Sequence, residues 1–310
     1  MKIFTRTALS GLAAATVLPL SALANDEPPL TIVITGSRTA QTADQTLVPV
    51  TVITRKDIEQ KQAQTVAELL SDVPGVVISN NGGLGKATSI RIRGTESDHV
   101  LVLMDGVKIG SATTGTAAIQ HIPVDLIDRI EVVRGPRASL YGSEAIGGVI
   151  QIFTRKGRAG FHPYASVGAG SHHTTRLNAG VSGGSDAAWF GADIASIDSD
   201  GFNACRGKPS PDGAGCFTDE PDDDGYNDLS FSLNGGARLG EKVTLSGRAF
   251  RSDADTQYDG SSLNESEATV QVLGLNADII ATDAWTVHLI AGQSRDSSDN
   301  FKDGDYKSRF

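Results

Sequence analysis

The chain has 310 residues, a formal net charge of -10, 35 glycines and 39% hydrophobic residues. Its acidic balance excludes nucleic acid as the main partner, because phosphate recognition needs a basic footprint. The length gives one or two domains with ample material for a core. Beyond the first 24 residues no run of about 18 apolar residues persists, which argues against a membrane-spanning helix but not against a β-barrel, whose alternating strands leave a weak hydropathy signal.

Residues 1–24 have the make-up of an export signal. Lys2 and Arg6 supply a positive start, an Ala/Leu-rich run continues to Leu20, and Ala22-Leu23-Ala24 offers a small-x-small cleavage pattern, so the mature chain is expected to begin at Asn25. The polar, Pro-rich stretch from Asn25 to Pro29 is expected to stay extended. Leu30, Thr31, Ile32, Val33, Ile34 and Thr35 then form a β-prone run ending at Gly36, which by composition is the first strand of a domain.

Val48 to Ile53 reads as a short strand. Thr54, with Asp57 three residues later, is expected to cap a helix, and a second helix is expected near Thr65. Val66, Leu69, Leu70 and Val73 recur at helical spacing and form its buried face, and Pro74-Gly75 stops it. Ile90 and Ile92 alternate with Arg91 and Arg93 as in a strand, and the apolar run Val100 to Met104 reads as a central one. Asp105-Gly106 makes a hairpin turn there. Ile130 to Val133 and Val149 to Phe153 are two further strands. They enclose Gly135-Pro136 and Tyr141-Gly142, which permit turns, and Gly147-Gly148, which would let another backbone approach closely.

From Gly157 the texture changes to alternation. Leu229, Phe231, Leu233, Ala237 and Leu239 share one face with Gly235, while Ser230, Ser232, Asn234 and Arg238 share the other. Val243, Leu245, Gly247 and Ala249 repeat the pattern, as do Trp285, Val287, Leu289 and Ala291. A barrel wall with lipid outside and a polar interior fits, and a soluble sandwich has the same period. Between such strands, Gly201 to Tyr226 is long and polar enough for an outer loop. Its cysteines, Cys205 and Cys216, are the only two in the chain, and in an exported protein they are expected to form a disulfide. Asp219, Glu220, Asp222, Asp223, Asp224 and Asp228 crowd its end, as a solvated acidic turn or as oxygen ligands for a cation.

Enzyme motifs fail on inspection. Gly82 to Thr88 resembles a phosphate loop, but Asn80 stands where its first Gly belongs and Ala87 follows the Lys. Gly168-Ala169-Gly170 lacks the third Gly of a dinucleotide fingerprint, since His173 takes that place. His172 and His173 are neighbours, so on a strand they would point to opposite faces. No catalyst and no organic cofactor are expected.

The string from Ile127 to Lys156, with Arg134, Gly135, Pro136, Tyr141, Gly142, Ala145, Gly147 and Gly148 in order, resembles the end of the plug domain of TonB-dependent outer-membrane receptors. Leu69 to Gly75, Ile90 to Gly94 and Val100 to Val107 resemble further plug segments in the family's order, and the cobalamin receptor subgroup is the nearest likeness. The resemblance implies an α+β plug domain followed by antiparallel transmembrane β-barrel strands. Residues 1–24 would be the signal peptide, 25–38 a periplasmic extension with the TonB box, 39–156 the plug and 157–310 the first part of the barrel. Leu30 to Thr35 resemble the box, which works by strand addition to the periplasmic TonB protein.

By the same resemblance, substrate would meet the plug apices Asn80, Asn81, Gly82, Gly83 and Leu84, and Ser111, Thr113 and Thr114. Cobalamin is the first expected substrate, and a ferric siderophore the alternative. Asp222 and Asp224, from a DDDG run that resembles the subgroup's calcium loop, and Asp259 would hold calcium, although Asn203 stands where another carboxylate is expected. The location implied is the outer membrane of a Gram-negative bacterium, with its lipid around the wall. Plugged transporters have about 22 strands, and the residues after Lys156 suffice for roughly 7 at about 20 residues each. The chain therefore reads as the first half of a receptor. The competing class is a non-transporting exported interaction protein, or receptor remnant, built from the same plug.

Overall fold

The computed structural model describes residues 48–111, 115–204 and 220–309. Signal segment, TonB box, Thr113, Thr114, Cys205 and Cys216 lie outside the described residues.

Local chemistry starts the plug. β1 (Val50–Ile53) leads into α1 (Arg55–Lys61), where Thr54 Oγ1 accepts the Asp57 N–H and the Asp57 carboxylate accepts the Thr54 N–H, a complete capping box. The Thr54 hydroxyl donates to the same carboxylate, and this bond, followed by that from the Thr54 N–H, holds the Asp57 carboxyl below the usual carboxylate range. Thr65 caps α2 (Val66–Ser71), whose Val66, Leu69 and Leu70 are buried, as their spacing requires. β2 (Val76–Asn80) and β3 (Thr88–Ile92) form a separate antiparallel hairpin. β2 is not foreseen in the sequence, and its tip is the segment Asn80 to Lys86.

A five-stranded sheet is the plug's centre. It comprises β1, β4 (Val100–Met104), β5 (Val107–Ile109), β6 (Ile127–Arg134) and β7 (Gly148–Thr154), in the order β1-β6-β7-β4-β5. Every residue of β4 and β7 is buried, which matches a strand covered on both faces. Asp105 and Gly106, both at positive φ, make the expected β4–β5 turn. Between β6 and β7 lies one short helix, α3 (Ala138–Tyr141), where only turns were expected. Gly147 and Gly148 do admit close neighbours: added Cβ atoms would stand 2.2 Å from Thr95 Oγ1 and 2.4 Å from the Val133 carbonyl.

The wall is a sequential antiparallel sheet of eight strands, one more than the length suggested. Its strands are β8 (Gly160–Ala169), β9 (Thr175–Gly184), β10 (Ala188–Ser199), β11 (Tyr226–Leu239), β12 (Val243–Gln257), β13 (Glu265–Thr282), β14 (Trp285–Lys302) and β15 (Asp305–Arg309). Register aligns the apolar rows across strands. Leu233 pairs with Ala249 and Ala249 with Leu273; Ala237 pairs with Leu245, Leu245 with Ala277 and Ala277 with Leu289. These rows face away from the plug. Phe161, Val167, Leu233, Leu275 and Trp285 are 57–79% exposed, which places large apolar side chains on the outer surface as a lipid-facing wall requires. On the other face Asp193, Asp228, Ser230, Ser232 and Ser252 are buried.

The plug packs on that polar face through nonlocal contacts. Inward-facing Gly274 and Gly292 make room for Val107, whose methyls would lie 3.1 and 2.4 Å from Cβ atoms added there. Arg248 on β12 pairs with the buried Asp105, which also accepts the N–H (3.0 Å) and hydroxyl (2.6 Å) of Thr154. Arg176 on β9 reaches Asp125 at 3.4 Å, and Asn234 on β11 holds the plug–wall connection through Gly157 N–H (3.0 Å) and the Arg155 carbonyl (2.8 Å).

Candidate functional site

The β2–β3 tip lies under the outer ends of the wall strands. Asn80 shapes it from within: its Oδ1 accepts the N–H groups of Gly82 (2.8 Å) and Gly83 (3.0 Å), and its Nδ2 donates to Thr88 Oγ1 at 2.9 Å. Asn80 thus organises the tip, in which Gly82 and Gly83 are half-buried and Asn81 is exposed. Both glycines have positive φ, at 110° and 100°. Glycine is required for space as well, because Cβ atoms there would meet Ala204 at 2.8 Å and the Phe202 ring at 3.2 Å.

Beside this tip is a cavity of about 500 Å³, lined by Asn80, Gly82, Gly83 and Leu84 of the plug and by His172 and Phe202 of the wall, among others. Such a volume suits a small-molecule group held between aromatic and amide surfaces. Ser111, the other described apex residue, bonds within its own turn to Thr116 (2.8 Å) and Gly115 (2.9 Å) and does not line this cavity. Among the described apex residues, Asn80, Gly82, Gly83 and Leu84 line the cavity, and Asn81 and Ser111 do not.

His172 and His173 occupy the β8–β9 tip at positive φ, not a strand as the sequence reading supposed. They still diverge. The His172 ring is tilted against Phe202 at 5.4 Å, whereas His173 Nδ1 lies 2.6 Å from Asp200.

Tyr226, at the start of β11, is the wall residue that sequence reasoning missed. Its ring stacks on the buried His121 of the plug at 6.0 Å, its hydroxyl donates to the Gln120 carbonyl at 3.3 Å, and His121 Nδ1 lies 3.3 Å from the same oxygen. On another side the backbone of Gly85 rests against the ring, where a Cβ would come within 2.1 Å. Burial pushes His121 down to about 4, so it is neutral at ordinary pH. Only Gly85, beside the singled-out Gly82 and Gly83, hinted at this contact.

The acidic loop ends are sorted by the fold. Glu220, Asp222 and Asp259 each offer a carboxylate oxygen, and these lie within 4.8 Å of one another. Asp224 stands outside this trio; its carboxylate accepts the Ala204 N–H at 3.0 Å, and burial pushes it above the usual carboxylate range. Of the expected set, Asp222 and Asp259 lie in the trio, and Glu220 is its third member. Asn203 joins the same region by donating to the Glu220 carbonyl at 2.5 Å while its N–H donates to Asp223 at 3.0 Å. Three carboxylates this close fit a hard cation such as calcium, although Lys302 already neutralises Glu220.

An α+β domain packed on the polar face of an outward-apolar antiparallel sheet is a plug-and-wall arrangement. Residues 42–149 match the TonB-dependent Receptor Plug Domain, and the chain carries the plug and first wall strands of the TonB-dependent receptors. Among curated relatives it is similar to the vitamin B12 transporter BtuB of Photobacterium profundum, at 34% identity over 96% of this chain and 48% of the relative. It is also similar to that of Vibrio cholerae serotype O1, at 48% identity over 54% of this chain and 28% of the relative. The chain thus spans about half the length, or less, of these relatives. Among solved structures, the ferripyoverdine receptor of the outer membrane of Pseudomonas aeruginosa matches with a TM-score of 0.68 and 17% identity, over 86% of this chain and 36% of that one. The siderophore receptor PirA of Acinetobacter baumannii matches at 0.64 and 21%, over 81% and 40%. At such identities these structures bear on the fold alone.

Proposed function

We propose that this chain is the plug and first-strand part of an outer-membrane receptor for cobalamin, driven by the TonB protein. The observation that carries the reading is the 34% identity, over 96% of the chain, with a vitamin B12 transporter. Cobalamin would rest on the Asn80–Leu84 tip and the loops above it, with the cavity beside Phe202 taking part of its periphery. TonB would add a strand at Leu30 to Thr35 and pull. A pull can shift part of the plug because its local stability is lower than that of a closed wall. Residues 1–24 would direct export, outer-membrane lipid would meet the apolar face, and a Cys205–Cys216 disulfide would close the outer loop.

Calcium belongs to the same proposal. Asp222 and Asp259, with Glu220, would hold it and so order the two outer loops. In this reading Asp224 fixes the loop backbone instead of binding the ion.

The test uses the full natural protein in purified outer membranes. Saturable binding of labelled cyanocobalamin is expected, weakened by chelator in the wild type and already weak in Asp222→Ala. Affinity unchanged by chelator and by that substitution would remove calcium. Binding of a ferric siderophore in place of cobalamin would replace the substrate, and recovery of the natural protein from the periplasm without detergent would promote the interaction-protein class.

A further inference from the structure

One buried ammonium ties the plug tip to the wall. Lys86, the last residue of the tip, is 4% exposed, and its Nζ donates to the Asp224 carbonyl at 3.2 Å and to the Gln257 carbonyl. Those carbonyls belong to different outer connections, one entering β11 and the other leaving β12. The two connections are themselves joined, since the Gln257 N–H donates to the Gly225 carbonyl at 3.0 Å. Asp224 and Asp259 act on the ammonium by charge; burial still pushes Lys86 below the ordinary lysine range. Gly85 sets the approach: at φ +70° it lies against Tyr226, where any side chain would collide.

Desolvating an ammonium is unfavourable unless carbonyls and carboxylates compensate it, so a methionine would fill the same space at less cost. The charge therefore does something that packing does not need. We propose that Lys86 is a latch that ties the position of the plug tip to the backbone where β11 begins and β12 ends. While the plug is seated, the ammonium pins the two loop ends and offsets the carboxylates of Asp224 and Asp259. When the plug is drawn inward the ammonium leaves with it. Asp224 and Asp259 then lose the cation that faces them, and the backbone at Asp224 and Gln257 loses its shared donor. The proposal rests on the reading that the plug moves, but the resting contact it needs can be tested with neither substrate nor TonB present.

The experiment is hydrogen exchange on the full natural protein in detergent, comparing wild type, Lys86→Met and Lys86→Arg. In Lys86→Met, amides at 224–226 and 257–260 are expected to exchange roughly tenfold faster, as loss of charge-assisted bonds implies, while β4, β6 and β7 keep their protection. Lys86→Arg, which keeps the charge, is expected to restore part of the protection. Unchanged loop exchange in Lys86→Met would overturn the latch. So would lost protection throughout the plug sheet, which would make Lys86 a general determinant of folding, and so would equal behaviour of the Arg and Met variants, which would remove the charge from the explanation. A failure of cobalamin binding would leave all of these readouts intact.

Discussion

Two sheets in this molecule use the same β-forming residues in opposite ways. In the plug, β4 and β7 are buried at every position, so their apolar side chains meet other side chains on both faces. In the wall, β11 alternates buried and exposed from Tyr226 to Leu233, and the buried members include Asp228, Ser230 and Ser232 while Phe231 and Leu233 face outward. The plug hides its apolar surface inside itself, and the wall turns its own toward the surroundings. Burial alone therefore does not define a core here; what matters is which medium each face meets.

The largest effect is expected where the two sheets meet. Arg248→Met would leave the Asp105 carboxylate buried without its cation, for a loss of about 3–5 kcal/mol. Urea titration of the full protein, read by protease access to the plug, measures it. Adding Asp105→Asn, which tolerates the positive φ and keeps an acceptor for Thr154, should recover much of that loss, and no recovery would mean that the unpaired charge is not its cause.

Within the sheets, the same comparison can be made with one substitution on each. Ile130→Ala, at a site with 0% exposure, should destabilise the plug by about 2–5 kcal/mol. Leu275→Arg, on the outer face at 67% exposure, should cost about 2–4 kcal/mol in a bilayer. In a water-facing sheet it would cost almost nothing, and folding yields into vesicles distinguish the two cases.

A smaller effect is expected from His121, whose folded value of about 4 lies below its ordinary 6.5. The unfolded chain binds the extra proton first, so the contribution is intact above about 6.5 and is lost as pH falls toward 4. The slope is about 1.4 kcal/mol per pH unit in that window. Stability measured against pH for wild type and His121→Asn should differ by this slope; parallel curves would mean that His121 is accessible to protons when folded.

Signals carried by neighbouring residues were legible in the sequence. The Thr54–Asp57 capping box, the Asp105-Gly106 turn, the close approach at Gly147-Gly148 and the outward alternation of β11 each depend on a few adjacent side chains. β2 was not legible, because only Val76 of its five residues is buried and its pattern carries no clear period. The junction was not legible either: Lys86 meets partners 138 and 171 residues away, and nothing local marks the pairing of Asp105 with Arg248. The acidic run showed that carboxylates are concentrated near the outer loop. Spacing could not show that Glu220 turns toward Asp259 while Asp224 turns toward Ala204.

The most direct measurement is a nitroxide scan from residue 229 to 239 in the full natural protein, in outer membranes, comparing access of oxygen with that of a water-soluble relaxation agent. Oxygen access should peak at the odd positions, Phe231, Leu233 and Ala237 among them, and fall at the even positions between them. Water-soluble agent reaching the odd positions would contradict a lipid-facing wall, and with it the receptor architecture.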